Sequence, residues 1–163
     1  MLLLVLGPPG AGKTTLLNKL SEEFPVEFKI VKIDELTSEF GFSVGWLKAL
    51  EAARQKGDIV FESVGLYWKN DQNLAKQDNT RVIVLYGSKE MLVQRLSERH
   101  DKKQYSLTAR LDEIRCMERA LELLPNLYPS ATFIELQENI DASYEQFRAS
   151  VLSHRSDSNR AGD

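Results

Sequence analysis

Apolar residues fall along this chain in two alternating rhythms. Compact apolar runs at 2–6, 27–33, 58–61, 81–86 and 131–136 predict five strands. The unbroken run at 2–6 suits a strand buried on both faces of a parallel sheet. Between the runs, apolar residues recur three and four apart. They predict helices at 13–23 (Leu16, Leu17, Leu20), 44–56 (Trp46, Leu47, Leu50, Ala53), 89–99 (Met91, Leu92, Leu96), 108–124 and 141–152. Gly57 and Pro125 read as helix stops, and Asp141 as an N-cap. Residues 35–45, punctuated by Gly41 and Gly45, read as a loop, as does the stretch holding Tyr67, Trp68 and Asn70.

Strand and helix alternate throughout. The predicted fold is therefore α/β: three layers, with a five-stranded parallel sheet, right-handed crossovers and helices on both faces. Ligands in such sheets bind beyond the C-terminal strand ends. Gly7, Asp34, Glu62 and Gly87, at or just past those ends, should ring one site.

Composition narrows the picture. With 163 residues, the chain suits one domain, expected over 1–153, with 154–163 as a polar, aperiodic and disordered tail. The net charge of −3 does not favour nucleic acid through bulk charge, although a local basic patch is compatible with it. A single cysteine, Cys116, allows neither an internal disulfide nor a cysteine-rich zinc site, and it reads as helix core. The apolar start has no basic flank and ends after six residues, unlike a signal peptide, and no stretch has the length of a membrane span. A cytoplasmic enzyme is the expectation.

The chemistry begins at Gly7-Pro8-Pro9-Gly10-Ala11-Gly12-Lys13-Thr14, a full match to G-x-x-x-x-G-K-[ST] between a predicted strand and a predicted helix. Gly10 and Gly12 let the backbone curl around phosphate oxygens, and amides from about Gly10 through Ala11 to Thr15 can point inward. The helix N-terminus adds partial positive charge. Lys13 would reach the β- and γ-phosphates, and the Thr14 hydroxyl would face Mg²⁺. This segment resembles the P-loop NTPases, and within them the small nucleoside- and nucleotide-kinase-like phosphotransferases. The resemblance implies ATP and Mg²⁺ as ligands and transfer of the γ-phosphate to an acceptor.

Asp34 is similar to the acidic residue that handles the acceptor in gluconate, shikimate and polynucleotide kinases. Many P-loop proteins have an Asp where this chain has Glu62, and that departure resembles deoxynucleoside kinases, in which a Glu acts there as base. Asp34 and Glu62 thus compete for the base role. We assign Asp34 as base and Glu62 to the metal with Thr14. The bland readings are a turn residue for Asp34 and an ion-paired structural residue for Glu62. Arg95 and Arg99 share a helix face before the polar connection 100–107, with Arg110 and Arg115 beyond it. This pattern looks like the short lid of nucleotide kinases, expected at about 99–108, whose arginines close over phosphates. A solvated face with i,i+4 ion pairs to Glu98, Glu113 or Glu118 is the alternative.

For the acceptor, the Thr-Gly…Arg signature of adenylate-type kinases is missing, and the region between strands two and three has only Arg54. A hydroxyl acceptor is therefore expected: a nucleoside, a small metabolite, or a nucleic-acid end or base. Tyr67 and Trp68 are candidates to stack on it, whereas Phe42 and Trp46 read as core first. A nucleoside monophosphate kinase is the alternative. An NTP-hydrolysing switch or motor is the second, although the N-K-x-D guanine motif is absent.

Overall fold

The computed structural model describes residues 1–67, 69–77, 80–103 and 106–160. Strand β1 (Leu2–Leu6) runs into the glycine-rich turn and helix α1 (Lys13–Glu23). Strand β2 (Phe28–Lys32) is followed by α2 (Ile33–Phe40) and α3 (Phe42–Ala53). Then come β3 (Asp58–Ser63), α4 (Lys69–Ala75), β4 (Thr80–Tyr86), α5 (Lys89–Lys103), α6 (Leu107–Leu127), β5 (Thr132–Glu135) and α7 (Ile140–Arg160). The five strands form one sheet in the order β2-β3-β1-β4-β5, with every pairing parallel. No helix among the described residues is long and apolar enough to cross a membrane.

Strand alternation divides the core. Leu3 and Val5 face α1, α5 and α7, where Leu16, Leu20, Leu96 and Phe147 are buried with them. Leu4 and Leu6 face α3, α4 and the end of α6, with Trp46, Ala49, Leu74 and Leu124. Both faces of β1 are thus covered, which is why its sequence is continuously apolar. Helix α6 serves both layers: Met117 packs on the first face, Ala120 and Leu124 on the second.

Several boundaries depart from the sequence expectations. Residues 35–45 are helical apart from Gly41, which breaks the chain at φ +80°. Gly45 is no breaker. It lies inside α3 where a Cβ would sit 2.7 Å from the Thr37 backbone, so it allows α2 and α3 to touch. The expected loop around Asn70 contains α4, while Trp68 lies outside the described residues. Helix α5 continues past Arg99 through Lys103, because His100 is buried and bonded to Glu113 on α6. The expected lid at 99–108 is thus largely a helical hairpin, with Gln104 and Tyr105 outside the described residues. Pro125 does not stop α6. It falls in the last turn, which Tyr128 N closes on Leu124 O at 3.0 Å.

The C-terminal boundary is corrected too. Helix α7 extends to Arg160 rather than 152, so 154–160 are helical, and 161–163 lie outside the described residues. Arg155 bonds Glu27 and Asp58, and His154 lies 3.2 Å from the Thr132 hydroxyl. Such long-range partners are invisible to a local reading of a polar segment. Asp141 stands in the first turn of α7, two places past the cap position. Asn139 Oδ1 instead accepts from the Asp141 amide at 2.9 Å.

Candidate active site

The turn after β1 is shaped by three glycines with different duties. Gly10 (φ +81°) and Gly12 (φ +72°) take left-handed backbone, strained for any side chain. A Cβ at Gly10 would also meet Leu92 O at 2.9 Å, so the turn lies directly against α5. A Cβ at Gly7 would meet Leu85 O at 2.9 Å, so β1 and β4 must approach closely there. Helix α1 then begins at Lys13 with no side-chain cap and no acidic residue in its first turn. Its first ladder bond is Leu16 N to Gly12 O at 3.0 Å, so the amides of Lys13, Thr14 and Thr15 have no partner within the helix. An uncapped, unneutralised helix N-terminus is a place for an anion.

Lys13 is buried, and its Nζ donates to Gly7 O at 2.8 Å and Pro8 O at 3.2 Å. Burial lowers its pKa, and the carboxylates of Glu62 and Asp34 pull the other way. This one side chain is electrostatically coupled to both candidate carboxylates. Glu62 lies inside β3, paired with Val5 and Lys32, rather than at the strand's end. The Thr14 hydroxyl donates to its Oε1 at 2.7 Å, and its Oε2 is buried with no hydrogen-bond partner among the described residues. A hydroxyl beside an orphaned carboxylate oxygen is a hard-oxygen set, which fits Mg²⁺ in chemistry.

Asp34 sits in the first turn of α2, where acidic residues complement the helix dipole. Its Oδ1 accepts from the Tyr67 hydroxyl at 3.2 Å. Burial, then the Asp34 charge, raises the Tyr67 pKa, so the phenol stays protonated as a donor. Tyr67 also closes an aromatic cluster with Phe42 (5.6 Å between centroids) and Trp46 (5.8 Å). Trp46 is core as expected, whereas Phe42 is about half exposed at 52%. Arg54 caps the far end of α3, so it stands about 18 Å along the helix from Phe42.

Arg95 and Arg99 separate. Arg95 Nη2 donates to Gln137 O at 2.7 Å, tying α5 to the segment between β5 and α7. Its Nη1 is buried without a partner among the described residues and lies 3.9 Å from where a Gly12 Cβ would stand. That nitrogen sits beside the phosphate-type turn. Arg99 pairs with Glu113 at 2.5 Å, and Glu113 also accepts from His100. Its charge is still felt at Lys13, whose pKa it lowers. Arg110 bonds the Ser97 hydroxyl, and Arg115 is an exposed partner of Asp112. Cys116 is half-buried on α6 and is not simple core. Its pKa is raised first by burial, against the opposing pull of Lys13.

Sequence reasoning missed the Tyr67–Asp34 bond and the buried Asp71 behind it. Asp71 stands in the polar stretch Lys69-Asn70-Asp71-Gln72, which gives no sign of burial. The only available signal was Tyr67 itself, read as a stacking surface.

Comparison with known proteins agrees with this architecture. The family model described as "ATPase family associated with various cellular activities (AAA)" matches residues 3–117. No curated protein sequence matches the chain. Among solved structures, shikimate kinase from Acinetobacter baumannii in complex with shikimate is similar at 22% identity and TM-score 0.63, covering 93% of each chain. A gluconokinase from Sinorhizobium meliloti 1021 is similar at 13% identity and TM-score 0.69, covering 99% of this chain and 97% of its own. Deoxyadenosine kinase from M.mycoides with bound dATP is similar at 14% identity and TM-score 0.59, covering 93% and 99%. At these identities the likeness is one of fold, and the fold is that of P-loop kinases.

Proposed function

The chain belongs to the ATPase family associated with various cellular activities (AAA), a family of P-loop NTPases, and from that premise we propose that it is a kinase. It transfers the γ-phosphate of ATP to a hydroxyl of a nucleoside, nucleic-acid or small-metabolite acceptor. One observation carries this reading: the Thr14 hydroxyl at an uncapped helix N-terminus donates to Glu62 at 2.7 Å, while a second carboxylate, Asp34, is held by Tyr67 at 3.2 Å. A hydrolase needs a water-orienting group. A kinase also needs a carboxylate reserved for the acceptor, and Asp34 beside the aromatic cluster is available for that.

The turn amides from Gly10 to Thr15 hold the phosphates, and Lys13 leaves the carbonyls of Gly7 and Pro8 to follow the γ-phosphate. Thr14 and Glu62 would hold Mg²⁺, which when bound would neutralise charge on the phosphates. Asp34 orients the acceptor hydroxyl and takes its proton as the oxygen bonds to the γ-phosphorus. The bond from that phosphorus to the bridging oxygen breaks, and ADP leaves. Arg95 Nη1 donates to phosphate oxygens. Arg99 adds positive charge from α5 and is poised to exchange Glu113 for phosphate.

The test is γ-phosphate transfer from labelled ATP with Mg²⁺ to pooled nucleosides, nucleoside monophosphates, oligonucleotides and polyols, with Lys13→Ala as control. Labelled acceptor that disappears in the control establishes the kinase. Asp34→Asn should lose turnover while keeping ATP affinity; full activity in Asp34→Asn with loss in Glu62→Gln would reverse the two roles. The family's ATPase description favours a second reading, an NTP-hydrolysing module. Free phosphate released at a rate no acceptor changes would support that reading and sink the first.

A further inference from the structure

Asp71 is fully buried, on the first turn of α4. Its Oδ2 accepts from the Tyr67 backbone amide at 2.9 Å, while its Oδ1 has no hydrogen-bond partner among the described residues. The Ser63 hydroxyl, on the residue after Glu62, accepts from Gly65 N at 3.2 Å and lies near enough to Asp71 to oppose the effect of burial on its pKa. Asp71 thus holds the Tyr67 end of the segment between β3 and α4 directly and stands near its Ser63 end. The segment starts beside Glu62 and ends at Tyr67, whose hydroxyl donates to Asp34 at 3.2 Å.

A carboxylate is an expensive group to bury for a turn that an uncharged side chain could cap. Here it stands on a connection that links the mounts of the two candidate carboxylates. We propose that Asp71 is a positioning residue that sets the geometry of the acceptor carboxylate Asp34 by fixing the turn that aims Tyr67 at it. The proposal rests on the kinase reading for its kinetic consequence, not for its structural one. Tyr67 occupies Oδ1 of Asp34, which leaves Oδ2 to receive the acceptor hydroxyl. The same ring lies against Phe42 and Trp46, so a displaced Tyr67 would disturb acceptor contact and base orientation together. Ser63 pairs with Leu6 at the end of β1, but among the described residues neither Asp71 nor Tyr67 hydrogen-bonds to the phosphate turn or to α1. ATP binding should thus be insulated from it.

The groups facing Asp71 are few. Ser63 and Tyr67 come from its own segment, the Asp34 charge acts on it from α2, and its own charge raises the Tyr128 pKa from the end of α6. Burial outweighs the Tyr67 amide and the nearby Ser63 hydroxyl and pushes Asp71 up to about 6.

Three variants test this: Asp71→Ala, Asp71→Asn and Tyr67→Phe. Asn keeps an oxygen acceptor for the Tyr67 amide, so Asp71→Asn should hold acceptor kcat/KM within about threefold. Asp71→Ala and Tyr67→Phe should each lose about tenfold or more, with binding of a fluorescent ATP analogue unchanged within about twofold. The double variant Asp71→Ala, Tyr67→Phe should be no worse than the poorer single, because both act through one bond. Multiplied losses, or parallel loss of analogue binding, would overturn the positioning role. Should Asp71→Ala not fold, the contrast between Asp71→Asn and Tyr67→Phe still decides: equal losses refute it. A readout free of activity separates this idea from the kinase reading. By NMR, the Tyr67 amide should shift with pH around 6 in the parent protein and lose that step in Asp71→Asn. A pH-independent Tyr67 amide in the parent would refute the contact, whether or not any acceptor is phosphorylated.

Discussion

Replacing Gly45 by alanine sets two forces against each other. In an isolated helix the change is favourable, by about 0.8–1 kcal/mol of propensity. In this fold the new methyl would stand 2.7 Å from both Cα and N of Thr37 and 2.8 Å from the Leu36 carbonyl carbon. These are backbone atoms of α2, so no rotamer change relieves the clash, and the two helices must part. Overpacking of this kind costs about 1–3 kcal/mol. A net loss of roughly 0–2 kcal/mol follows, or up to about 8 °C in Tm for a chain of this size. Parting the helices also moves α2, and with it Asp34, so acceptor KM should rise while ATP-analogue affinity holds. Urea unfolding monitored by far-UV circular dichroism would measure the stability term, through Cm at unchanged m. A variant more stable than the parent would show that propensity wins, and that α2 and α3 do not pack through Gly45.

Further outcomes follow from the same geometry. Thr14→Ala should weaken Mg²⁺-dependent nucleotide binding about tenfold, or about 1.4 kcal/mol, by calorimetry, with little effect on binding measured in excess EDTA. Asp71 gives a pH signature whose sign is fixed. Its folded pKa of about 6 lies above the ordinary 3.8, so the folded state binds the proton more tightly and stability falls as pH rises from about 4 to 6. Integrated over that window the loss is about 3 kcal/mol at most, so Asp71→Asn should gain stability on the parent as pH rises from about 4.5 to about 7 in paired denaturation curves. Arg155→Ala removes bonds to Glu27 and Asp58 and should cost roughly 1 kcal/mol, with faster amide exchange confined to the end of α7.

Much of this protein could be read from local pattern. The apolar run before the glycines, the glycines themselves and the Lys-Thr pair are contiguous, so their chemistry and their place between strand and helix follow from neighbours along the chain. The alternation of strand and helix carried the parallel sheet for the same reason, since each element's buried face repeats with its own period. Three of the departures turn on distant partners. Gly45 read as punctuation because a glycine's closeness to another backbone leaves no mark in sequence. His100 and Arg155 read as loop and tail residues, and each belongs to a helix because Glu113, Glu27 or Asp58 meets it across the fold.

The candidate site divides along the same line. Lys13, Thr14, Asp34 and Glu62 were nameable from the chain, since a motif or a strand end marks each. That Thr14 bonds Glu62, that Arg95 lies by Gly12 while Arg99 pairs with Glu113, and that Tyr67 and buried Asp71 stand behind Asp34, were decided by tertiary structure alone. Residue type and spacing determine what a side chain can do. Which carboxylate is orphaned, which arginine is engaged and which tyrosine meets an acid depend on how sheet and helices pack, through contacts that no local window of sequence contains.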